Sequence, residues 1–296
     1  MGAHRSILIA AGIIERFWPS YRRALYPTRN AELGALKRIP ALSHLYIFHG
    51  DGWLREAALK CLNEPPDNPF AFAALRYRLN DWVEQVRDAA HDCASRLFPH
   101  TSAGVVAEAS FFLFTQIHHF GRWGERERHV LESALYRHDV MQVLADLLMQ
   151  RPAGRVGIVL RQALRRPGLD GALPRLAREA DLPQVRATAL ETLIMRRARW
   201  PAGYRYEWID KRFGFRRRVP RFEQRPIDHQ IDIEELLAQG AHDRAVVVRK
   251  VVAQGLIDLR RDLSPAMNDV GRSLSEDKAS SVRLRAEFYL SNLSES

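Results

Sequence analysis

The sequence has few cysteines and no apolar run long enough to cross a bilayer. Cys61 and Cys93 are the two cysteines among 296 residues, too few for a disulfide framework, so we expect a reducing, cytoplasmic location. An apolar stretch at residues 6–14 is far shorter than the roughly 20 residues of a membrane-spanning helix. The composition therefore argues against a disulfide-stapled secreted scaffold and against a membrane span.

Motifs of common catalytic and metal-binding sites are also absent. The chain has no GxxxxGK[ST], GxGxxG, GxSxG or CxxC pattern, which removes the usual signatures of nucleotide, dinucleotide, serine-hydrolase and zinc-ribbon sites. Histidines and carboxylates cluster between His118 and Asp139, but the histidines are not three or four residues apart, as two ligands on one helix would be. We therefore expect no metal, no cofactor and no catalytic residues.

Positive charge, in contrast, is abundant. Lys and Arg number 45 against 35 Asp and Glu, which gives a formal net charge of +10 and a pI near 10.0. This balance attracts phosphates, anionic lipids or acidic proteins. Hydrophobic residues make up 46% of the chain and charged residues 27%, values typical of a folded protein with a sizeable core. An organism with arginine-rich codon usage would give a similar charge, so composition alone assigns no partner.

A short motif recurs five times along the chain. Each copy has an aspartate, an arginine four to six residues later, and small or apolar residues three and seven positions after the arginine. The five pairs are Asp51 and Arg55, Asp81 and Arg87, Asp181 and Arg186, Asp243 and Arg249, and Asp277 and Arg283. Arg55 and Arg87 are 32 residues apart, Arg249 and Arg283 are 34 apart, and the 99 residues from Arg87 to Arg186 make three units of 33. A constant period of this length indicates a repeat protein.

The motif is typical of the second helix in a helix pair. Its aspartate suits an N-cap, because a carboxylate accepts hydrogen bonds from the free N–H groups of the first turn. Offsets of three and four residues place Ala, Val and Leu on one face, and we expect the arginine to reach an aspartate and tie successive repeats into a ladder. Candidate first helices are 31–39, 69–79, 103–119, 139–149, 171–179, 231–239 and 264–275. Two second helices without the motif are expected near 125–137 and 154–166.

The pattern Asp-x-x-x-Val-Arg-x-x-Ala-x-x-x-Leu resembles the second helix of a HEAT or HEAT-like repeat. The resemblance implies an all-α fold, a right-handed α-solenoid of about seven helix pairs in one domain, 1–296. Its expected parts are an N-terminal cap (1–30), repeats (31–198), an insertion (199–230) and C-terminal repeats (231–296). The architecture says little about function, because it serves scaffolds, chaperone-like factors and a few enzymes.

Residues 199–225 break the repeat pattern and concentrate charge. Nine basic residues against three acids give a net +6, more than half of the excess of +10, and seven of the 27 aromatics lie here. From Tyr204 to Ile209, aromatic residues alternate with other residues at a period of two, residues 211–214 suit a turn, and residues 215–219 suit a returning strand. We predict a β-hairpin or hairpin-like loop with aromatics on one face and mostly charge on the other.

This insertion is the candidate binding surface. Arginine forks match phosphates in a bidentate way, and Tyr and Trp rings stack on unpaired bases. The candidate binding residues are Arg205, Tyr206, Trp208, Lys211, Arg212, Arg216, Arg217, Arg218 and Arg221. In the alternative interpretation the aromatics pack onto the helices, and the arginines only extend into water at the tip of the insertion and bind no partner.

Three functions follow as hypotheses. The first is a non-enzymatic solenoid that binds nucleic acid or another polyanion through the insertion and a groove lined by the motif arginines, unless pairing with aspartate consumes those arginines. The second is a scaffold for a protein with an acidic surface. The third follows from a resemblance in architecture and charge to HEAT-like DNA glycosylases, which place a catalytic aspartate among aromatic side chains; the Trp/Asp pairs here are Trp208 with Asp210 and Asp81 with Trp82. The di-iron HEAT-repeat hydroxylases use repeated His-Glu dipeptides, and this chain has none.

Overall fold

A computed structural model describes residues 29–116, 122, 124–151 and 153–292. This part of the chain is mostly helical, with fifteen α-helices and one two-stranded antiparallel sheet. None of the helices described is long and apolar enough to cross a membrane. The predicted N-terminal cap falls almost entirely on residues 1–28, which lie outside the described residues. The described residues divide into two compact units: unit 1 comprises residues 29–100, 122 and 124–130, and unit 2 comprises residues 101–116, 131–151 and 153–292.

Unit 1 is built from short helices that pack against the next helix in the chain or the one after it. They are α1 (Arg29–Arg38), α2 (Ser43–Tyr46), α3 (Gly52–Cys61), α4 (Pro69–Arg78) and α5 (Glu84–Leu97), with 3-10 turns at Pro40–Leu42 and Phe98–His100. Helix α3 contacts α1, α2 and α5, and α5 contacts α4. The rings of Phe72 and Phe98 meet at 4.3 Å between centroids in a core that also buries Leu54 and Leu59.

Unit 2 contains the remaining helices and the sheet. Its helices are α6 (Ala103–Gln116), α8 (His138–Gln150), α9 (Val156–Ala163), α10 (Leu173–Glu179), α11 (Pro183–Ile194), α12 (Ile233–Ala241), α13 (Val246–Asp258), α14 (Met267–Ser275) and α15 (Ser280–Ser291). Helix α7 (Glu125–Leu135) has residues in both units. A 3-10 turn covers Pro167–Ala172. Helices α9, α11, α13 and α15 contact one another in chain order. Strands β1 (Arg197–Asp210) and β2 (Phe215–Pro226) form the sheet between α11 and α12.

Small residues set how closely these helices approach. A Cβ added at Gly271 would lie 2.9 Å from the ring of Tyr289, and one at Gly240 would lie 2.8 Å from Val252. Real Cβ atoms do not sit that close to another side chain, so glycine is required where α14 meets α15 and where α12 meets α13.

Three motif arginines form the predicted ladder with the aspartate of the next motif copy. Arg55 donates to both Asp81 oxygens at 3.0 and 2.8 Å. Arg186 donates to Asp243 at 2.7 and 2.9 Å, and the matching bonds from Arg249 to Asp277 are 2.5 and 3.1 Å. These are bidentate charge-assisted pairs, the strongest hydrogen-bond geometry available between side chains.

Each motif arginine also closes the loop ahead of its own helix. The Nη1 atom of Arg55 donates to the carbonyl of His49 at 2.8 Å, and that of Arg249 donates to the carbonyl of Asp243 at 2.8 Å. Arg87 and Arg283 donate to the carbonyls of Asp81 and Asp277, and within the described part of the chain neither bonds to the carboxylate of a motif aspartate. The side chain therefore joins a loop to its own helix and, where a following motif aspartate exists in the right place, to the next helix.

The prediction that each aspartate is an N-cap is right for Asp51, whose carboxylate accepts from the N–H of Trp53 at 2.9 Å. It is wrong for the other four copies. Asp181 lies one residue before the N-cap Leu182, whereas Asp81, Asp243 and Asp277 lie two residues before theirs and accept from the N–H of the cap residue itself, at 3.1, 2.8 and 2.8 Å. The reason is the ladder, since a carboxylate in the loop is within reach of the preceding arginine. Within the described residues the Asp181 side chain accepts no hydrogen bond.

The ladder also removes its arginines from any binding groove. The side chains of Arg55 and Arg186 are only 3% and 5% exposed and face carboxylates. The expected basic groove lined by the motif arginines is therefore wrong for these residues, because their charge is neutralised inside the fold. Positive charge for a partner must come from elsewhere.

Candidate functional site

The insertion forms a long β-hairpin. Its strands pair antiparallel from Arg197 opposite Pro226 to Asp210 opposite Phe215, which confirms the predicted strand alternation and extends both strands beyond the predicted bounds. The turn ends at Gly214, whose φ of +68° lies in the left-handed region that glycine adopts without strain.

A bulge in β1 separates the base of the hairpin, residues 197–201 paired with 222–226, from its arm, residues 204–220. Pro201 pairs with Phe222, and the next pair is Tyr204 with Pro220, so β1 carries one extra residue at this point. Gly203 supplies the extra backbone flexibility with a φ of +101°. An extra residue in one strand reverses the facing of every side chain that follows it.

The bulge decides which side chains face outward. At the base, Ala198 and Trp200 are buried and face the helices. If the strand alternated without a bulge, the later even-numbered residues of β1 would face the same inward side. Because of the extra residue, Tyr204 and Trp208 instead continue the side of Arg199. The tyrosine is 56% exposed and the tryptophan 55%, so the interpretation in which these rings pack onto the helices is wrong.

The base of the hairpin is fixed to the helices by one arginine. Arg225 donates to both oxygens of Asp170, at 2.8 and 2.5 Å, and to the carbonyls of Leu164 and Arg166 at 2.9 and 3.1 Å. Gln162 adds a bond from its side-chain amide to the carbonyl of Pro201 at 2.9 Å. The arm therefore extends from a rigid attachment on α9 and the 3-10 turn that follows it.

One side of the arm interleaves aromatic rings with arginines, and we name it the aromatic–arginine face. It consists of Arg199, Tyr204, Tyr206, Trp208, Arg216, Arg218 and Phe222. The guanidinium carbon of Arg218 lies 3.6 Å from the Tyr204 ring centroid, that of Arg216 lies 4.3 Å from Tyr206, and that of Arg199 lies 4.2 Å from Phe222. These are cation–π distances.

The other side pairs its arginines with acids. Glu207 accepts from Arg205 at 2.8 Å and from Arg217 at 3.0 Å, and hydrogen bonds from Arg217 and Arg205 lower the pKa of this carboxyl. Elsewhere on the hairpin Arg221 pairs with Glu223 at 2.9 Å and Arg212 with Asp210 at 3.3 Å. The candidate arginines therefore divide into a paired set and a stacked set.

This division corrects the predicted distribution of charge. The aromatics were expected on one face and most of the charge on the other, but Arg216 and Arg218 lie among the aromatics. Within the described residues neither of these two arginines has a carboxylate partner. Lys211 also has none and lies at the turn. The positive charge that remains available to a partner is therefore concentrated beside the rings.

A cleft at the foot of the hairpin is lined by further arginines together with carboxylates. It has a volume of about 220 Å³, and its lining includes Arg161, Arg197 and Arg199 together with Glu191 and Asp258. Arg161 is paired with Glu191 at 2.5 Å, whereas Arg199 stacks on the hairpin. Sequence reasoning missed Arg161 and Arg197, because residues 36 positions apart give no local signal of their proximity.

Neither Trp/Asp pair places a carboxylate in an aromatic cleft. The Asp210 carboxylate accepts from the N–H and guanidinium of Arg212, and these bonds lower its pKa. Asp81 is held by Arg55 and Arg78. No group of three or more His, Cys, Asp or Glu side chains able to hold a metal occurs in the part of the chain that the structure describes.

Unit 1 has an apolar groove that sequence reasoning missed. It has a volume of about 540 Å³, is lined by residues such as Leu45, Phe48 and Phe70, and has Glu64 and Asp67 among its polar lining residues. The Phe48 and Phe70 rings stack at 5.8 Å. Carboxylates among its lining residues do not suit a polyanion, so the hairpin is the better site for one.

No protein-family model matches the sequence, and no curated protein is significantly similar to it, so the function has to be argued from the chemistry of the hairpin.

Proposed function

We propose that this chain is a non-enzymatic binding protein that holds nucleic acid on the aromatic–arginine face of its hairpin. The observation that carries the proposal is the placement of Arg216 and Arg218 over Tyr206 and Tyr204, at 4.3 and 3.6 Å, with no acidic partner among the described residues. Phosphate contacts supply most of the affinity of proteins for nucleic acids, and these two arginines have the charge to make them.

Stacking prepares an arginine for a phosphate. A guanidinium held over a ring has no carboxylate on its N–H donors, which can therefore match phosphate oxygens in a bidentate way. The ring also limits the rotamers of the arginine, which lowers the entropy lost on binding. Arg205 and Arg217 differ, because each would have to leave Glu207 before it could make the same contact.

The aromatic rings favour nucleic acid over an acidic protein. A protein with an acidic surface needs only the positive charge, whereas bases use exposed ring faces for stacking. Tyr206 and Trp208 are 59% and 55% exposed. Exposed apolar patches often mark interaction sites, and here the rings of β1 lie beside the arginines of β2 on one face of the hairpin, which brings together both elements of nucleic-acid recognition.

We also propose that the helices form a HEAT-like repeat stack whose role is to present the hairpin rigidly. The serial contacts of α9, α11, α13 and α15 support this proposal, and so does the Arg-to-Asp ladder at Arg186 and Arg249. Repeat units of this kind contact mainly their neighbours, and insertions between them frequently form binding faces.

The test compares two double variants with the same loss of charge. Arg216→Gln with Arg218→Gln removes the stacked pair, and Arg205→Gln with Arg217→Gln removes the pair held by Glu207. Affinity for labelled DNA and RNA is measured over a salt series. We expect the first variant to reduce the slope of log affinity against log salt by about 1.4, from about 0.7 per single-strand phosphate contact, and the second to reduce it by much less.

Equal effects of the two variants would contradict the assignment to the aromatic–arginine face and indicate a diffuse charge effect. If the native chain binds no nucleic acid at low salt but does bind polyglutamate, the partner is an acidic protein and the proposal is wrong.

A further inference from the structure

We infer that the hairpin selects unpaired nucleic acid over duplex and that Trp208 is the side chain on which a base stacks. This inference rests on the proposed function and specifies its ligand. It depends on a difference among Tyr204, Tyr206 and Trp208, which lie on the same face of β1 because they are every second residue of the strand.

Within the described residues Trp208 is the one aromatic residue of the β1 arm with no arginine over its ring. Tyr204 and Tyr206 each carry an arginine over one ring face. Arg216 is the cross-strand partner of Trp208, yet its guanidinium lies over Tyr206 at 4.3 Å. Within the described residues no cation covers the indole of Trp208, which is 55% exposed. The tryptophan therefore offers the largest uncovered π surface beside two phosphate-binding arginines.

The spacing of the face fits an unstacked strand. Same-face residues in a β-strand lie about 6.6–6.8 Å apart, roughly twice the 3.4 Å rise between stacked bases in a duplex. A base can enter beside Trp208 only if it has left its own stack. Duplex bases are stacked and paired, so a duplex can offer its phosphates to Arg216 and Arg218 but no base face to the indole.

The length of the face sets the number of nucleotides. Trp208 pairs with Arg216 and Arg199 with Gln224, so the face spans eight steps of the unbulged strand β2, about 26 Å at 3.3 Å each. At about 6.8 Å for each nucleotide this distance accommodates about four nucleotides, at the lower end of the range of about 4–16 found for single-strand sites. The nucleic-acid strand would end beside Arg199, which stacks on Phe222 at the foot of the hairpin.

The experiment uses the full chain and two substitutions at one position. Trp208→Ala removes the ring, and Trp208→Phe keeps a stacking surface; neither changes charge. Both are titrated by fluorescence anisotropy against an oligothymidylate of about 20 nucleotides and against a GC-rich duplex of about 10 base pairs, which has about the same number of phosphates and stays paired. Because Trp208 is exposed on the arm, an unchanged melting temperature serves as the folding control.

We expect the native chain to bind the single strand more tightly than the duplex. Trp208→Ala should weaken single-strand binding roughly 5- to 150-fold, the equivalent of about 1–3 kcal/mol for one stacked base, and change duplex binding less than about twofold. Trp208→Phe should restore most of the loss.

Equal affinity for the two ligands, or single-strand binding that Trp208→Ala leaves unchanged, would overturn the inference. The proposed function would survive that result if Arg216→Gln with Arg218→Gln still weakened binding. Absence of binding to both ligands by the native chain would refute the two together.

Discussion

Replacing Asp81 with Asn should destabilise the protein by about 3–5 kcal/mol, the cost of breaking a buried ion pair from one side. The carboxylate accepts from Arg55 at 3.0 and 2.8 Å, from Arg78 at 2.7 Å and from the N–H of Val83 at 3.1 Å. An asparagine keeps one acceptor oxygen and turns an NH₂ group toward donors. The guanidinium of Arg55, 3% exposed, would remain buried without its counter-charge.

The same motif supplies the matched control for this measurement. Asp181 is the aspartate of another copy of the motif, one residue before its N-cap, but its side chain is exposed and accepts no hydrogen bond within the described residues. Asp181→Asn should therefore change stability by less than about 0.5 kcal/mol. Both variants are compared with the native protein by urea unfolding followed by far-UV circular dichroism, with the free energy taken from the midpoint and the slope.

A loss below about 1 kcal/mol for Asp81→Asn, or losses of similar size for both variants, would refute the argument that the ladder is a buried, stabilising network.

Two further predictions concern pH and the hairpin base. The hydrogen bond from Arg249 lowers the pKa of Asp277 below its ordinary 3.8. The stability that this pair contributes is therefore complete above about pH 4 and is lost as the pH falls through the folded-state pKa. Urea midpoints measured from pH 7 to pH 2 should show that decline, and a midpoint independent of pH would contradict the prediction. Arg225→Ala removes four hydrogen bonds that hold the hairpin. Hydrogen exchange in β1 and β2 should accelerate by at least about tenfold, which corresponds to a local stability loss above about 1.4 kcal/mol, while α13 stays protected. Uniform acceleration across the protein would indicate general destabilisation instead.

The sequence was a good guide to the helices. Hydrophobic periodicity placed α4 at 69–79, where the structure has Pro69–Arg78, and the two second helices without the motif at 125–137 and 154–166, where it has Glu125–Leu135 and Val156–Ala163. Long periodic segments carry this information locally. Helix α2, with only the four residues Ser43–Tyr46, was missed because so short a segment has no measurable period.

The hairpin was harder to predict beyond its existence. Alternation from Tyr204 onward identified a strand, but the facing of its side chains depends on the bulge next to Gly203. A bulge arises from pairing between two strands, and one strand read alone gives no register. The positions of Arg216 and Arg218 among the aromatics follow from that pairing.

The structure also shows why net charge is a weak guide to a binding surface. Arginine has three different roles in unit 2. In the ladder, Arg186 is neutralised by a carboxylate inside the fold; at the hairpin base, Arg225 is neutralised by Asp170; on the arm, Arg218 lies on a tyrosine ring. A ring attracts a cation without cancelling its charge, so only the third arrangement leaves a full positive charge at the surface. The charge that a polyanion would meet is therefore set by which arginines have aromatic neighbours and which have acidic ones.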